Sequence, residues 1–329
     1  MAFRATGILR QNLKLRPAFE LALRTSCLQL VLARWGLETA ALVDLRNEKV
    51  APDDDRKARA ASAITSALYE SGLEDYATSA EKTMLEKPYK TWEYNDYMVS
   101  DHWEALGVLQ WILGRQHAIP PYFSSFDRAR LFQNTGIRPI DPSTIENFVS
   151  PFTSLQIHQT LDKKQLQHEV DTAEAWFWRA RAQVLLGLRD EIAKEESEKS
   201  GASEETPVET VLRTKRIPHS LRKMANELPK TIPLAAQRAL AKGIIGGAEA
   251  NDFAIVVEMK GSEEGQVKTM NVPYSNLDEQ HLDAIRKIAE SRFLAFAWAL
   301  EKVGEWDADN VGELMSINPI NAIWTPNDN

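Results

Sequence analysis

Three segments of this chain are too apolar to face water from any side of a helix, yet each carries charge in its midst. They are His102-Trp103-Glu104-Ala105-Leu106 running on to Trp111, Ala175-Trp176-Phe177-Trp178-Arg179-Ala180-Arg181, and Ser291-Arg292-Phe293 running on to Trp298. On a helical wheel Leu106, Leu109 and Leu113 fall on one side of the first, and Val108, Trp111 and Ile112 on another. A helix apolar nearly all round belongs in a core. Trp176 and Trp178 differ by ~200° at the standard helical pitch, so they are expected to bury opposite sides. Tryptophan brings a large apolar area, and a lone charge beside it is costly unless paired. The pattern therefore predicts a helical core, and partners within it for Glu104, Arg179, Arg181 and Arg292.

Those four residues are the candidate site. The simplest arrangement has Glu104 meeting one of the arginines where the three helices converge, as an ion pair that fixes helix register. The alternative is a polar pocket for an anionic small molecule or for acid–base chemistry.

The fold class expected from the pattern is mainly α, a single multi-helix domain with buried Trp-rich helices and one appended β-hairpin. After Pro17 a helix is predicted from Ala18 to Trp35, stopped by Gly36. A second follows over Arg56–Glu70, a short one over Ser79–Glu86, and one over Ser100–Gln116. Gly107 and Gly114, seven apart, would admit a neighbouring helix. Residues 121–160 read as short elements punctuated by proline and glycine. A long helix is predicted over Leu161–Lys194. An acidic flexible loop is expected over 195–209, then helical fragments at 219–228 and 233–242. Phe253–Met259 and Gln266–Val272, flanking Gly261–Gly265, read as a hairpin. A last helix spans Leu277–Val303. By segment, 1–23 is a basic extension, 24–194 and 210–310 are the two parts of the helical core, and 311–329 is an irregular tail.

The chain has 329 residues, with 39 Lys and Arg against 47 Asp and Glu, for a net charge of −8. That balance argues against a general nucleic-acid binder. No stretch approaches the ~20 apolar residues of a membrane span. Within 1–19, Arg4, Arg10, Lys14 and Arg16 meet no acid. That pattern makes the first twenty residues a candidate mitochondrial presequence, against which stand few serines and the interruption at Pro17. The compartment reads as intracellular, with cytoplasm favoured and the mitochondrion as alternative. A single cysteine, Cys27, excludes an intrachain disulfide and reads as a small buried hydrophobe.

Motifs for known chemistry do not appear. His158, His168, Glu169 and Asp171 match no tight zinc spacing, and no metal or cofactor is expected. Gly243-Ile-Ile-Gly246-Gly247 precedes a strand instead of following one, so it reads as a helix end and not a phosphate cradle. The basic run Arg213, Lys215, Arg216, Arg222 and Lys223 reads as a solvated face. Trp324 in the tail either folds back or anchors a partner. These absences favour a non-catalytic helical binding, scaffold or accessory protein with a protein partner. The alternative is an enzyme or small-molecule sensor built on the Glu/Arg pocket.

Several of these segments together resemble the family known as domain of unknown function 4272. The resemblance is carried by Arg24-Thr25-Ser26 leading to Trp35-Gly36, and by the alanine-rich Arg59-Ala60-Ala61-Ser62-Ala63. It continues in Trp103-Glu104-Ala105-Leu106 with Trp111-Ile112-Leu113-Gly114, and in Trp178-Arg179-Ala180-Arg181. It closes on Arg292, Ala295, Trp298, Trp306 and Asp307. It covers roughly 24–310, with 1–23 as an extension and the acidic loop and hairpin as insertions. It implies a helical fold and carries no activity.

Overall fold

Pro17 offers no N–H and suits the entry to a helix. Its carbonyl accepts from the N–H of Leu21 at 3.2 Å, opening helix α1 (Ala18–Arg46). The computed structural model describes residues 13–46, 54–154, 161–199, 219–247, 249–260 and 267–306. Among these the protein is mainly helical, with one two-stranded antiparallel sheet and a tryptophan-rich buried cluster. No helix of the described residues is long and apolar enough to cross a membrane.

Helix α1 runs past Gly36, where a stop was expected. A mid-helix glycine costs only ~1 kcal/mol relative to alanine. Across it, Arg34 and Glu38 form a buried pair one turn apart, which holds the helix together through Gly36. Helix α2 (Asp54–Glu70) opens on Asp54 and Asp55 and gives way to Gly72 at φ +63. A reciprocal Thr78–Glu81 capping box opens α3 (Ser79–Glu86). A 3-10 stretch over Tyr94–Asp101 then leads into α4 (His102–Ile112).

The region expected to hold only short elements contains α5 (Arg128–Thr135) and α6 (Pro142–Val149). Each is capped by an aspartate, Asp127 and Asp141, whose side chain accepts a backbone N–H. Helix α7 (Lys163–Lys199) extends five residues into the segment read as an acidic loop. Residues 200–209 of that segment lie outside the described residues.

The two fragments expected after it are one helix, α8 (His219–Ala241), with Pro229 and Pro233 inside. Both prolines face solvent, where water can take the freed carbonyls. On its other face Ala225, Leu228, Ile232, Ala235, Ala236 and Ala239 form one buried stripe. Burial of that stripe outweighs the local break. Strands β1 (Ile255–Lys260) and β2 (Val267–Val272) pair with Ile255 opposite Val272 and Val257 opposite Met270. Helix α9 (Glu279–Ala299) follows.

The described residues group into two compact units. Residues 13–170 and 290–306 belong to one, and 171–289 to the other. In the first, α1 is the central element, packing on α4, α2 and α6. The segment read as a basic extension enters this core from Leu13 onward. Arg16 donates to the carbonyls of Trp298, Val303 and Gly304, and its N–H to that of Ala299. It thus caps the C-terminal end of α9, where unpaired carbonyls favour a cation. Residues 1–12, the tail with Trp324, the basic residues Arg213, Lys215 and Arg216, and His158 lie outside the described residues.

In the second unit, Trp176 and Trp178, expected to bury opposite sides of their helix, are both buried, and both reach Phe253, with ring centroids 5.4 and 6.4 Å away. Phe253 follows Asp252, and the two stand at φ +51 and +56. That tight left-handed turn aims the ring at α7.

Candidate functional site

Glu104 sits on α4 and Arg292 on α9, and they meet directly. The Arg292 Nη2 lies 2.7 Å from the Glu104 Oε2, and Nε donates to the same oxygen at 2.9 Å. Arg292 is fully buried and Glu104 is 5 % exposed. The remaining valences go to one loop. Arg292 Nη1 donates to the carbonyl of Pro120 at 2.6 Å, and Nη2 to that of Ser124 at 2.8 Å. Glu104 Oε1 accepts the N–H of Phe126 at 3.1 Å. Tyr122 and Phe126 place their rings 4.7 and 5.1 Å from the guanidinium carbon. The pair is therefore a clamp on residues 120–126, holding the carbonyls of Pro120 and Ser124 and the N–H of Phe126.

Gly107 was expected to admit a helix. It admits Phe126 instead: a Cβ there would lie 2.3 Å from the ring. Gly114 has nothing within 4 Å and closes α4 at φ +70. Gly107→Ala is expected to overpack this site and cost about 1–3 kcal/mol, read as a lower Tm. Combining it with Phe126→Leu should recover part of the loss. No recovery would mean that the ring is not the obstacle.

Arg179 does not join Glu104. It belongs to the other unit and forms a bidentate pair with Asp252, Nε to Oδ1 at 2.6 Å and Nη2 to Oδ2 at 3.0 Å. Asp252 Oδ2 also accepts the N–H of Ser275 at 3.0 Å, and Tyr274 stacks 4.4 Å from the guanidinium. Arg181 is half-buried. Of the four candidates, Glu104 thus pairs with Arg292, and Arg179 with Asp252.

Two further clamps escaped the sequence reading. Arg24 of α1 pairs with Glu81 of α3, Nη1 to Oε2 at 2.7 Å, and donates to the carbonyl of Tyr76. Glu81 accepts the N–H of Thr78. Arg34 pairs with Glu38 and donates to the carbonyls of Leu85 and Lys87, while Glu38 accepts the N–H of Lys90. Arg24 and Arg34 stand at the two ends of the apolar run 25–33, and α1 buries both.

A fifth group lies against the Arg24 clamp. His102 Nδ1 is buried without a partner, and its ring meets Trp306 edge-on at 6.5 Å. Burial holds its imidazole down at about 4, only partly opposed by Glu81. The unfolded chain takes up this proton near 6.5, the folded protein near 4. Stability from the neutral ring is therefore full above 6.5 and falls with pH between those values. His102→Gln is expected to remove a loss on the order of 2 kcal/mol over that window. Urea unfolding at stepped pH reads it, and parallel curves for the two proteins would sink the assignment.

Of the other candidates, Cys27 is buried, its Sγ 3.4 Å from the carbonyl of Leu73, and burial pushes the thiol up to about 12. It is a poor nucleophile there. Among the described residues no group of three or more His, Cys, Asp or Glu could hold a metal ion. His168 is exposed. Beside it, Glu169 is half-buried, its carboxyl raised chiefly by burial and held down in part by His168 and Arg292. Burial also raises the Tyr122 hydroxyl, with Arg292 opposing. Comparison of the chain with protein-family models, curated proteins and solved structures returned no match.

Proposed function

We propose that this chain is a helical binding or scaffold protein that acts through a protein partner and not through chemistry at Glu104 and Arg292. One observation carries the reading: every polar side-chain atom of that pair is bonded to the other or to the loop 120–126. An anion entering there would have to displace the carboxylate or backbone carbonyls, both already bound to a fully buried guanidinium. Arg179 gives Nε and Nη2 to Asp252 and Nη2 also to Gln183, while its buried Nη1 has no partner among the described residues.

The runner-up, an enzyme or small-molecule sensor, keeps one supporting observation. Glu169 is a half-buried acid with a raised carboxyl, within electrostatic reach of Arg292 and Tyr122. If a pocket is used, Glu169 is its acid.

The test is affinity capture of the tagged full chain, followed by reconstitution with the purified partner by calorimetry. A stoichiometric complex unaffected by Glu169→Gln supports the scaffold reading. A small molecule that raises Tm, and loses its effect in Glu169→Gln, overturns it. We also propose the 4272-family kinship, and an intracellular location with the cytoplasm favoured over the mitochondrion. Fusion of residues 1–25 to a fluorescent protein decides between the compartments.

A further inference from the structure

Trp35 of α1 and Trp103 of α4 meet at a corner. Their ring centroids lie 6.3 Å apart with planes at 82°. Phe132 of α5 closes a third side, 5.4 Å from Trp103. Into this corner points the guanidinium of Arg128, the first residue of α5, at 5.4 Å from each indole.

Arg128 differs from the clamped arginines. Arg24, Arg34, Arg179 and Arg292 are each buried against a carboxylate. Arg128 is exposed, and among the described residues its guanidinium meets only the rings. A second observation is independent of it: Trp103 is 7 % exposed, and its indole N–H has no partner among the described residues. A buried donor without an acceptor is unusual in a finished core.

Perpendicular aromatic walls present negative ring faces to a common point, which is how organic cations are recognised. We propose that the Trp35–Trp103 corner is a binding site for a soft cationic side chain of a partner protein, an arginine or a methylated lysine, and that Arg128 occupies it as a displaceable internal substitute. The unpaired indole N–H of Trp103 supplies a donor for a main-chain carbonyl of the same partner segment. The chain's net charge of −8 favours a partner of the opposite sign. Arg128 is tethered only through its own side chain, so its departure breaks no ion pair among the described residues. This proposal deepens the binding-protein reading and rests on it.

The experiment follows the indole N–H resonances of the full chain by NMR, assigned with Trp35→Phe and Trp103→Phe. The probes are acetyl-arginine amide, acetyl-trimethyllysine amide and, as control, sodium chloride at matched ionic strength. At least one organic probe should shift the Trp35 and Trp103 signals saturably while the control does not, and the tighter probe names the source of the cation. Removing the internal occupant with Arg128→Ala should tighten that binding about fivefold. Arg128→Lys, which keeps a cation on a different stem, should fall between. Uniform shifts at all indoles, no saturable shift in either wild type or Arg128→Ala, or weaker binding in a folded Arg128→Ala would overturn the proposal. A stoichiometric partner captured by a chain that fails this titration would remove this site and leave the scaffold reading standing on another surface.

Discussion

Glu104→Ala is expected to lower the unfolding free energy by about 3–5 kcal/mol, because it leaves Arg292 charged, buried and uncompensated. Typical domains have only ~5–15 kcal/mol to lose. Urea denaturation measures the change, and a loss below ~1 kcal/mol would show that water reaches the site. A double variant sharpens the test. In an isolated buried ion pair, Glu104→Leu with Arg292→Met should restore most of the stability. Here it should not. The carbonyls of Pro120 and Ser124 and the N–H of Phe126 would remain without partners, at about 1–3 kcal/mol for each group that stays buried. The double variant should therefore stay well below wild type, and protease cleavage should concentrate in residues 118–126. Full restoration would reduce the clamp to a simple ion pair.

The second large effect is expected at Asp252. Asp252→Ala strips both carboxylate bonds from the fully buried Arg179 and one acceptor from Ser275. It also places alanine at φ +56. The broken pair costs about 3–5 kcal/mol and the left-handed backbone about 1 kcal/mol more. Asparagine tolerates that backbone and keeps one side-chain acceptor, so Asp252→Asn should recover the backbone part and some of the rest. Equal losses in the two variants would mean that backbone conformation contributes nothing. Trp176 and Trp178 both report on the adjacent Phe253, so tryptophan fluorescence follows the same unfolding.

The four clamps share one construction. A buried arginine takes a carboxylate, and the pair then binds the backbone of a turn or loop, at 76–78, 85–90, 120–126 and at Ser275. For Arg24, Arg34 and Arg292 the arginine also takes loop carbonyls. Buried backbone groups must find partners, and these loops lack a sheet or helix to supply them. In these four clamps buried charge serves loop order, which makes substitutions at these arginines poor probes of function. Arg128, with its guanidinium against rings alone, is the more informative position.

Much of the helical content was legible locally. Ser79–Glu86 matches its expected bounds because a capping box and Pro88 mark both ends in sequence. Helix α8 was misread because two prolines outweigh a stripe of small buried residues in any local reading. The stripe's energy comes from what it packs against, and the sequence does not contain that. At the site, the need of Glu104 and Arg292 for partners was readable from their apolar neighbours, and they were found together.

By itself the sequence determined that the tryptophan-bearing segments of α4, α7 and α9 are buried and that Glu104, Arg179 and Arg292 need partners, since periodicity and the cost of burying a charge are local properties; it did not single out α1 or the charges of Arg24 and Arg34. It did not determine the partners. Glu104 and Arg292 are 188 residues apart, and Arg179 and Asp252 are 73 apart. An arginine's bond to a carbonyl leaves no mark on the residue that supplies it, because every residue has one. Only the tertiary structure decided that Arg179 takes Asp252 instead of Glu104, that Gly107 receives a phenylalanine instead of a helix, and that Arg128 lies in an aromatic corner. Each depends on where a loop returns, and packing sets that path.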